Sequence, residues 1–160
     1  MRGLTLFIGG VLVGLAVQMA IAQSQSRNIV GVNHVAISVE NLDETVAYYT
    51  ETLGFKEAFR VVNDAGQAGL VYVQVSEDTF VELQPANDNR PPGINHFGVH
   101  VENMDTVIEM FRQRGATVSD ARSGSTKAIL ANITDLNGIR IELGELPSES
   151  LQRQAIESWH

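Results

Sequence analysis

The 160 residues of this chain are enough for one ordinary domain, or for two very small modules that share a core. The formal net charge of −8 argues against nucleic acid as a partner, because phosphate binding needs a basic face. The sequence has no cysteine, which excludes disulfides, zinc–thiolate sites and cysteine nucleophiles.

Residues 1–22, "MRGLTLFIGGVLVGLAVQMAIA", differ in composition from everything that follows. Arg2 precedes an apolar run that ends in small residues at Ala20 and Ala22, which is typical of a secretory signal peptide cleaved after Ala22. The run is also long enough, at about 20 residues, for an uncleaved membrane anchor. In both interpretations the folded part lies outside the cytoplasm. We therefore expect a periplasmic or secreted protein, or one anchored in the inner membrane.

Residues 29–85 read as one β-α-β-β-β unit. Apolar alternation over 30–39 predicts the first strand, and Asn41 is the expected cap of a helix over 42–53 that Gly54 ends. Further strands are predicted over 55–62, 68–75 and 79–84.

The same order returns in residues 93–146, after a polar connector that contains prolines. "NHVAISVENLD", which begins at Asn33, recurs as "NHFGVHVENMD" from Asn95, 62 positions later. A second capped helix is expected to end at Gly115, followed by strands over 116–120, 126–133 and 139–144. The domain over 29–146 is thus an internal duplication of one supersecondary unit.

Residues 147–160 are predicted to form a C-terminal helical tail. Ser148 is a candidate cap, and the spacing of Leu151, Ala155 and Trp159 gives one apolar stripe. Such a stripe docks on its own domain or on a second subunit, and from it we expect a homodimer.

The duplication doubles two residues that can bind a metal ion. His34 and His96 hold equivalent places in the first strand of each module, and Glu82 and Glu142 hold equivalent places in the last. If those strands are neighbours, the four side chains converge on the inner face of a curved sheet. Two imidazoles and two carboxylates suit one divalent ion (Zn, Ni, Co, Mn or Fe), and the charges then sum to zero. Taken singly, each would be read as a hydrogen-bonded histidine or a solvent-facing glutamate; the symmetric set favours a metal.

These segments resemble the vicinal oxygen chelate superfamily, whose members include glyoxalase I, methylmalonyl-CoA epimerase, extradiol dioxygenases and fosfomycin or bleomycin resistance proteins. The resemblance rests on "NHVAISVENLDETVAYYTETLGF", "VELQP", "GINHFGVHVENMD" and "DLNGIRIELGE". It implies an α+β fold in which two paired βαβββ modules, 29–85 and 93–146, form a curved mixed sheet around a metal cavity. The His, Glu, His and Glu ligands of glyoxalase I-like members fall on His34, Glu82, His96 and Glu142.

The resemblance also implies an activity, that of a glyoxalase I-type lyase or isomerase acting on a small hydroxy-carbonyl or dicarbonyl-derived substrate. The divalent ion would stabilise an ene-diolate as a Lewis acid while Glu142 or Glu82 moves the proton. Two alternatives stay open. One is a non-catalytic protein that binds or sequesters a small molecule; the other is a ring-cleaving dioxygenase, against which the glutamate at position 82 argues.

The substrate is where the sequence departs from the glyoxalase I pattern. Ser38 stands where those enzymes usually have an arginine that holds glutathione. Four basic residues are candidates for a substrate anion, or else solvated charges: Arg60, Arg90, Lys127 and Arg140. His100, on the same strand face as His96, is predicted to line the cavity. The tyrosines are expected to pack in the core or at its edge: Tyr48, Tyr49 and Tyr72.

Overall fold

A computed structural model describes residues 28–160. The segment 1–22, predicted to be a signal peptide or an anchor, lies outside the described residues. From residue 28 onward, no helix is long and apolar enough to cross a membrane.

The described chain folds into strands and a few short helices. The strands are β1 Ile29–Val39, β2 Lys56–Val62, β3 Ala68–Ser76, β4 Thr79–Pro85, β5 Gly93–Val101, β6 Arg122–Ser123, β7 Ile129–Thr134 and β8 Arg140–Glu145. The α-helices are α1 Leu42–Ala47, α2 Met104–Gln113 and α3 Leu151–Glu157.

All eight strands belong to one curved mixed sheet in the order β2-β3-β4-β1-β5-β8-β7-β6. In each module the first and last strands pair in parallel, β1 with β4 and β5 with β8. The modules join where β1 runs antiparallel to β5, so a pseudo-twofold axis passes through this joint. The predicted α+β fold is confirmed, and both modules of the pair come from one chain.

The two faces of the sheet have different roles, because successive side chains of a strand point to opposite faces. One face packs against α1 and α2 and forms two apolar clusters, centred on Leu83 in the first module and on Leu143 in the second. The opposite face carries the histidines and glutamates that the sequence singles out. The two larger apolar clusters are therefore on the helix side, and the concave side holds the histidines and glutamates.

The helix predicted over 42–53 is wrong in its second half. The α-helix ends at Ala47, and one π-helical turn, Tyr48–Thr52, completes the element. Because a π-turn contains more residues than an α-turn, it rotates the following residues away from the predicted stripe. Leu53, expected on that stripe, is 43% exposed.

The strand predicted over 116–120 is also wrong. In this segment only Val118 pairs, through an isolated bridge to Ile133, and β6 comes later. The Arg112 guanidinium donates to the Val118 carbonyl oxygen at 2.8 Å and to Asp120 Oδ1 at 2.8 Å. The Arg112 side chain of α2 thus occupies the Val118 carbonyl oxygen, which in a longer strand would accept a hydrogen bond from a backbone N–H.

The tail helix α3 docks on its own domain. Ala155 packs with Tyr72 and Phe80 in a third apolar cluster on the first module. The cap is Ser150 rather than Ser148, since its side chain accepts from Arg153 N at 3.2 Å. The predicted apolar stripe is thereby used, at least in part, within the chain.

Candidate metal centre

The structure brings the four predicted ligands together, buried, on the concave face. One ligand atom from each of His34, Glu82, His96 and Glu142 lies within 4.8 Å of all the others. His34 Nε2 is 3.2 Å from His96 Nε2, 3.5 Å from Glu82 Oε2 and 3.7 Å from Glu142 Oε1. His96 Nε2 lies 4.0 Å and 3.9 Å from the same two carboxylate oxygens. Ligand bonds of about 2.0–2.2 Å separate neighbouring donor atoms by roughly 3–4 Å, so the set fits one ion.

Strand register explains why these side chains converge. Ala36 of β1 lies between His96 on one neighbouring strand and Glu82 on the other. Gly98 of β5 stands in the same relation to the remaining histidine and glutamate. Each small residue is thus flanked by an imidazole from the other module and a carboxylate from its own.

Gly98 is required by the position of His34. A Cβ atom at position 98 would lie 2.0 Å from His34 Cε1, far inside van der Waals contact. The imidazole lies where any other side chain at this position would begin. Sequence reasoning did not single out this glycine, although the aligned repeats show it against Ala36.

Each histidine is oriented by the asparagine that precedes it. Asn33 Oδ1 lies 3.2 Å from His34 Nδ1, and Asn95 Oδ1 lies 2.8 Å from His96 Nδ1. A carbonyl oxygen in this place accepts the Nδ1 proton, which leaves the Nε2 lone pair facing the centre. The repeated Asn-His pair was the available sequence signal for this arrangement.

The two carboxylates are held differently. Tyr72, expected only to pack in the core, donates its hydroxyl to Glu82 Oε2 at 2.6 Å. Asn132 occupies the matching register position beside Glu142. The nearest guanidinium atom, Arg122 Nη2, is 4.0 Å from Glu142 Oε2, beyond hydrogen-bond distance. Glu82 is therefore the more tightly fixed carboxylate.

Burial sets the protonation states of the cluster. It lowers the pKa of His34 to about 4 and that of His96 to about 3, with the Arg140 cation contributing to both shifts. Burial also raises the pKa of Glu82 to about 7 and raises the pKa of Glu142. Neutral imidazoles are the form that binds metal, and a divalent cation would offset the cost of two buried carboxylates.

Arg140 lies against the outer edge of His96. Its Nη2 contacts His96 Nδ1 and donates to Asn95 Oδ1 at 2.8 Å. A cation at this edge disfavours the imidazolium form of His96. When His96 Nδ1 carries the ring proton, Nδ1 cannot accept a hydrogen bond from Arg140. Arg140 then donates to Asn95 Oδ1 instead.

A cavity of about 270 Å³ opens beside the four ligands. Three arginines line it: Arg90, Arg122 and Arg140. Because a divalent ion would neutralise the two carboxylates, these guanidinium groups leave the wall positive in a protein of net charge −8. The cavity is therefore suited to a small anionic ligand.

The other predicted cavity residues divide into those that line it and those that do not. Arg90 and Arg140 line it, as the sequence suggested. Arg60 does not, because its guanidinium pairs with the Glu57 carboxylate at the surface. Lys127 and His100 are also absent from the lining that the described residues form. The cavity position expected for His100 is therefore wrong, whereas Lys127 is exposed, as the alternative of a solvated charge predicts. Arg122, which the sequence did not flag, lies in the short edge strand β6.

Known proteins are similar to this chain in sequence and in fold. The family described as the Glyoxalase/Bleomycin resistance protein/Dioxygenase superfamily matches residues 33–131. Lactoylglutathione lyases of Salmonella typhimurium LT2 and Salmonella typhi are each 28% identical over 123 residues, which cover 70% of this chain and 90% of theirs.

Two solved structures of methylmalonyl-CoA epimerase are each 25% identical to this chain. The one from Mycobacterium tuberculosis superposes with a TM-score of 0.62 over 75% of this chain and 90% of its own. A selenomethionine form gives 0.63, over 75% and 97%. On this evidence the chain belongs to the Glyoxalase/Bleomycin resistance protein/Dioxygenase superfamily, which is the vicinal oxygen chelate superfamily that its repeats resemble.

Proposed function

We propose that this protein is a metal-dependent lyase or isomerase that moves a proton between adjacent carbons of a small hydroxy-carbonyl or dicarbonyl-derived substrate. The observation that supports this most strongly is the buried set of two imidazoles and two carboxylates beside a cavity. Lactoylglutathione lyase and methylmalonyl-CoA epimerase, the enzymes it resembles in sequence and fold, are consistent with it.

His34, Glu82, His96 and Glu142 would hold the ion. A divalent ion in this set supplies Lewis-acid polarisation of two adjacent substrate oxygens, which makes the neighbouring C–H bond more acidic. Tyr72 fixes Glu82, and the asparagines fix the imidazole rings, so the protein groups are preorganised before substrate enters.

Glu142 is the carboxylate that we assign to proton transfer. It lacks the tyrosine bond that holds Glu82, and the matching neighbour on β7 is Asn132. Asn132 Oδ1 is buried and has no hydrogen-bond partner among residues 28–160. An acceptor on the neighbouring strand suits a protonated carboxyl better than a charged one. Glu142 can thus take a proton from one carbon and return it to the next, with Glu82 as the stationary partner.

The cavity favours a substrate smaller than the thioesters named for the relatives. Its volume of about 270 Å³ lies just below the range of about 300–1,000 Å³ that is typical of small-molecule sites. Ser38 replaces the arginine that holds glutathione in glyoxalase I-like enzymes, and the arginine-lined wall favours an anion. Export and a homodimer also belong to this proposal, and they rest on the sequence of residues 1–22 and on the apolar stripe of the tail.

The first test is elemental analysis of the purified mature protein, with zinc titration of the metal-free form as the quantitative measurement. We expect about one divalent ion per chain and its loss in His96→Ala. The control is His100→Ala, which removes an imidazole from the same strand face outside the cavity lining, and which should keep the ion. Equal binding by both variants would overturn the proposed centre.

The second test is a turnover screen of dicarbonyls and hemithioacetals with the metal found. We expect isomerised product, and at least a 100-fold loss of turnover in Glu142→Gln as typical for loss of a general base. Ligand retention without turnover, unchanged in Glu142→Gln, would indicate the sequestering protein instead. Bound iron with oxygen consumption would indicate the dioxygenase.

A further inference from the structure

We propose that Gln84 and Arg90 form a subsite that binds a carboxylate of the substrate at one end of the metal cavity. The inference rests on the proposed function, because it places this carboxylate relative to the oxygens that the ion would bind. It names a substrate class: small acids that carry a second carboxylate a few bonds from the reacting carbons.

The position of Gln84 follows from the strand that carries a ligand. It lies two residues beyond Glu82 on β4, and therefore on the same face, about 7 Å further along. Its side chain is buried, with 7% exposure, and both Gln84 and Arg90 line the cavity. The subsite is thus part of the same cavity as three of the candidate ligands, Glu82, His96 and Glu142.

Buried groups at this end are hydrogen-bond donors without acceptors. Gln84 Nε2 and Arg90 Nε have no partner anywhere in residues 28–160, and neither does Ser38 Oγ, on the strand position that pairs with Gln84. The amide and guanidinium nitrogens can only donate, and the hydroxyl can donate. Leaving buried donors unpaired is costly, so the arrangement calls for a ligand that supplies acceptors.

Arg90 is held in place by its own loop. Its backbone exchanges two hydrogen bonds of 2.9 Å with Asn87, and its Nη2 donates to the Pro85 carbonyl oxygen at 2.6 Å. These contacts fix the planar guanidinium and leave its Nε–H unpaired. An N–H of a fixed cation is a charge-assisted donor to a carboxylate oxygen.

The second module has no equivalent subsite. Gly144 takes the place of Gln84, and it pairs with His100 where Gln84 pairs with Ser38. The cavity lining includes Gln84 and Arg90 but neither Gly144 nor His100, so a remote carboxylate finds this subsite in the first module alone. The substrate would be bound in a single orientation across a centre whose ligands are symmetric.

The test compares two acids that differ only in the remote carboxylate. 2-Hydroxyglutarate and 2-hydroxypentanoate have the same chain and the same chelating hydroxy acid. Calorimetric affinities for both are measured on the zinc-loaded mature protein, on Gln84→Leu and Arg90→Leu, and on Arg60→Leu as a control that removes a surface arginine. Zinc affinity is measured on every variant first, so that loss of the centre is recognised separately from loss of the subsite.

We expect the wild-type protein to bind 2-hydroxyglutarate at least tenfold more tightly than 2-hydroxypentanoate, as hydrogen bonds to a charged group allow. That preference should fall by about tenfold in each subsite variant, with zinc affinity and 2-hydroxypentanoate affinity unchanged, and should persist in Arg60→Leu. Equal affinity of the wild type for the two acids, or a preference that survives both variants, would overturn the subsite. Failure of the wild type to bind zinc would overturn the proposed function instead.

Discussion

The two modules keep the same ligands but differ in what surrounds them. At matching positions of the last two strands the first module has Tyr72, Phe80 and Gln84, and the second has Asn132, Arg140 and Gly144. One glutamate is therefore tied by a phenol and lies near an aromatic cluster, while the other lies among arginines. If the cluster binds a metal ion as proposed, metal binding constrains only the donor atoms after duplication. Their neighbours can then diverge, so that one carboxylate is fixed and its counterpart can move.

The sharpest difference is at the small residue beside each histidine. Position 36 carries alanine against His96, whereas position 98 must be glycine against His34. We expect Gly98→Ala to lower zinc affinity by about 100-fold or more, because the new methyl group displaces the imidazole of a ligand. This loss is larger than the usual effect of changing a residue that only supports a ligand. Calorimetric zinc titration of the metal-free protein measures it.

The mirror change supplies the control. Ala36→Gly makes positions 36 and 98 identical and changes no ligand residue. It should leave zinc affinity within about twofold of the wild type. It should lower the free energy of unfolding by roughly 0.5–1 kcal/mol, as is usual for a glycine in a strand. If Gly98→Ala bound zinc as the wild type does, the packing of His34 against β5 would not be what positions this ligand.

The pH dependence of metal binding distinguishes the carboxylates from the imidazoles. In the metal-free protein Glu82 has a pKa of about 7, raised from 4.5 chiefly by burial, so a proton competes with the ion below pH 7. The histidines, with pKa values of about 4 and 3, compete only in acid. Zinc affinity should rise by up to tenfold per pH unit toward pH 7 and flatten above it, with release of a proton on binding.

We expect Tyr72→Phe to shift the pH profile of zinc affinity toward higher pH. The hydroxyl bond lowers the pKa of Glu82 against the effect of burial, so its removal raises this pKa above 7 and moves the plateau to higher pH. At pH 7 zinc affinity should fall by about 10- to 100-fold. Tyr49→Phe, on the helix side of the sheet, is the control. A uniform loss at every pH, with no shift of the plateau, would mean that Tyr72 only supports packing.

The repeats allowed the fold and the convergence of two histidines and two glutamates to be predicted, because both follow from periodicity and duplication. A side-chain period of two puts His34 and Glu82 on one face, and duplication repeats that face around a twofold axis. The supporting groups could not be predicted in this way. Tyr72 contacts Glu82 only through the pairing of β3 with β4, and Arg90 reaches the cavity from a connector that reads simply as polar.

The errors arose where the local sequence pattern did not determine the structure. The π-turn after α1 changes the helical period within a continuous apolar stripe. Arg112 takes the Val118 carbonyl that a strand would have used. His100 is on the correct face but at the wrong end of the sheet, since the cavity extends toward Gln84 and Arg140 and not toward Gly144, the register partner of His100.

Changes to the helix caps are expected to have the smallest effects, and similar effects in the two modules. Asn41 accepts from Glu44 N at 3.2 Å and Asn103 accepts from Thr106 N at 2.9 Å, so both repeats keep the same cap. Replacing either with alanine should cost about 1 kcal/mol in urea unfolding of the metal-free protein. We expect the larger loss for Asn103→Ala, because its bond is shorter and α2 is the longer helix.

The zinc affinity of the cap variants tests whether the helices influence the candidate metal centre. Both helices pack on the face opposite the ligands, so each cap variant should bind zinc within about twofold of the wild type, as independent sites do. A cap variant that weakened zinc binding would show that the helix face and the ligand face are coupled through the sheet. The divergence between the modules would then extend beyond the residues that surround the ion.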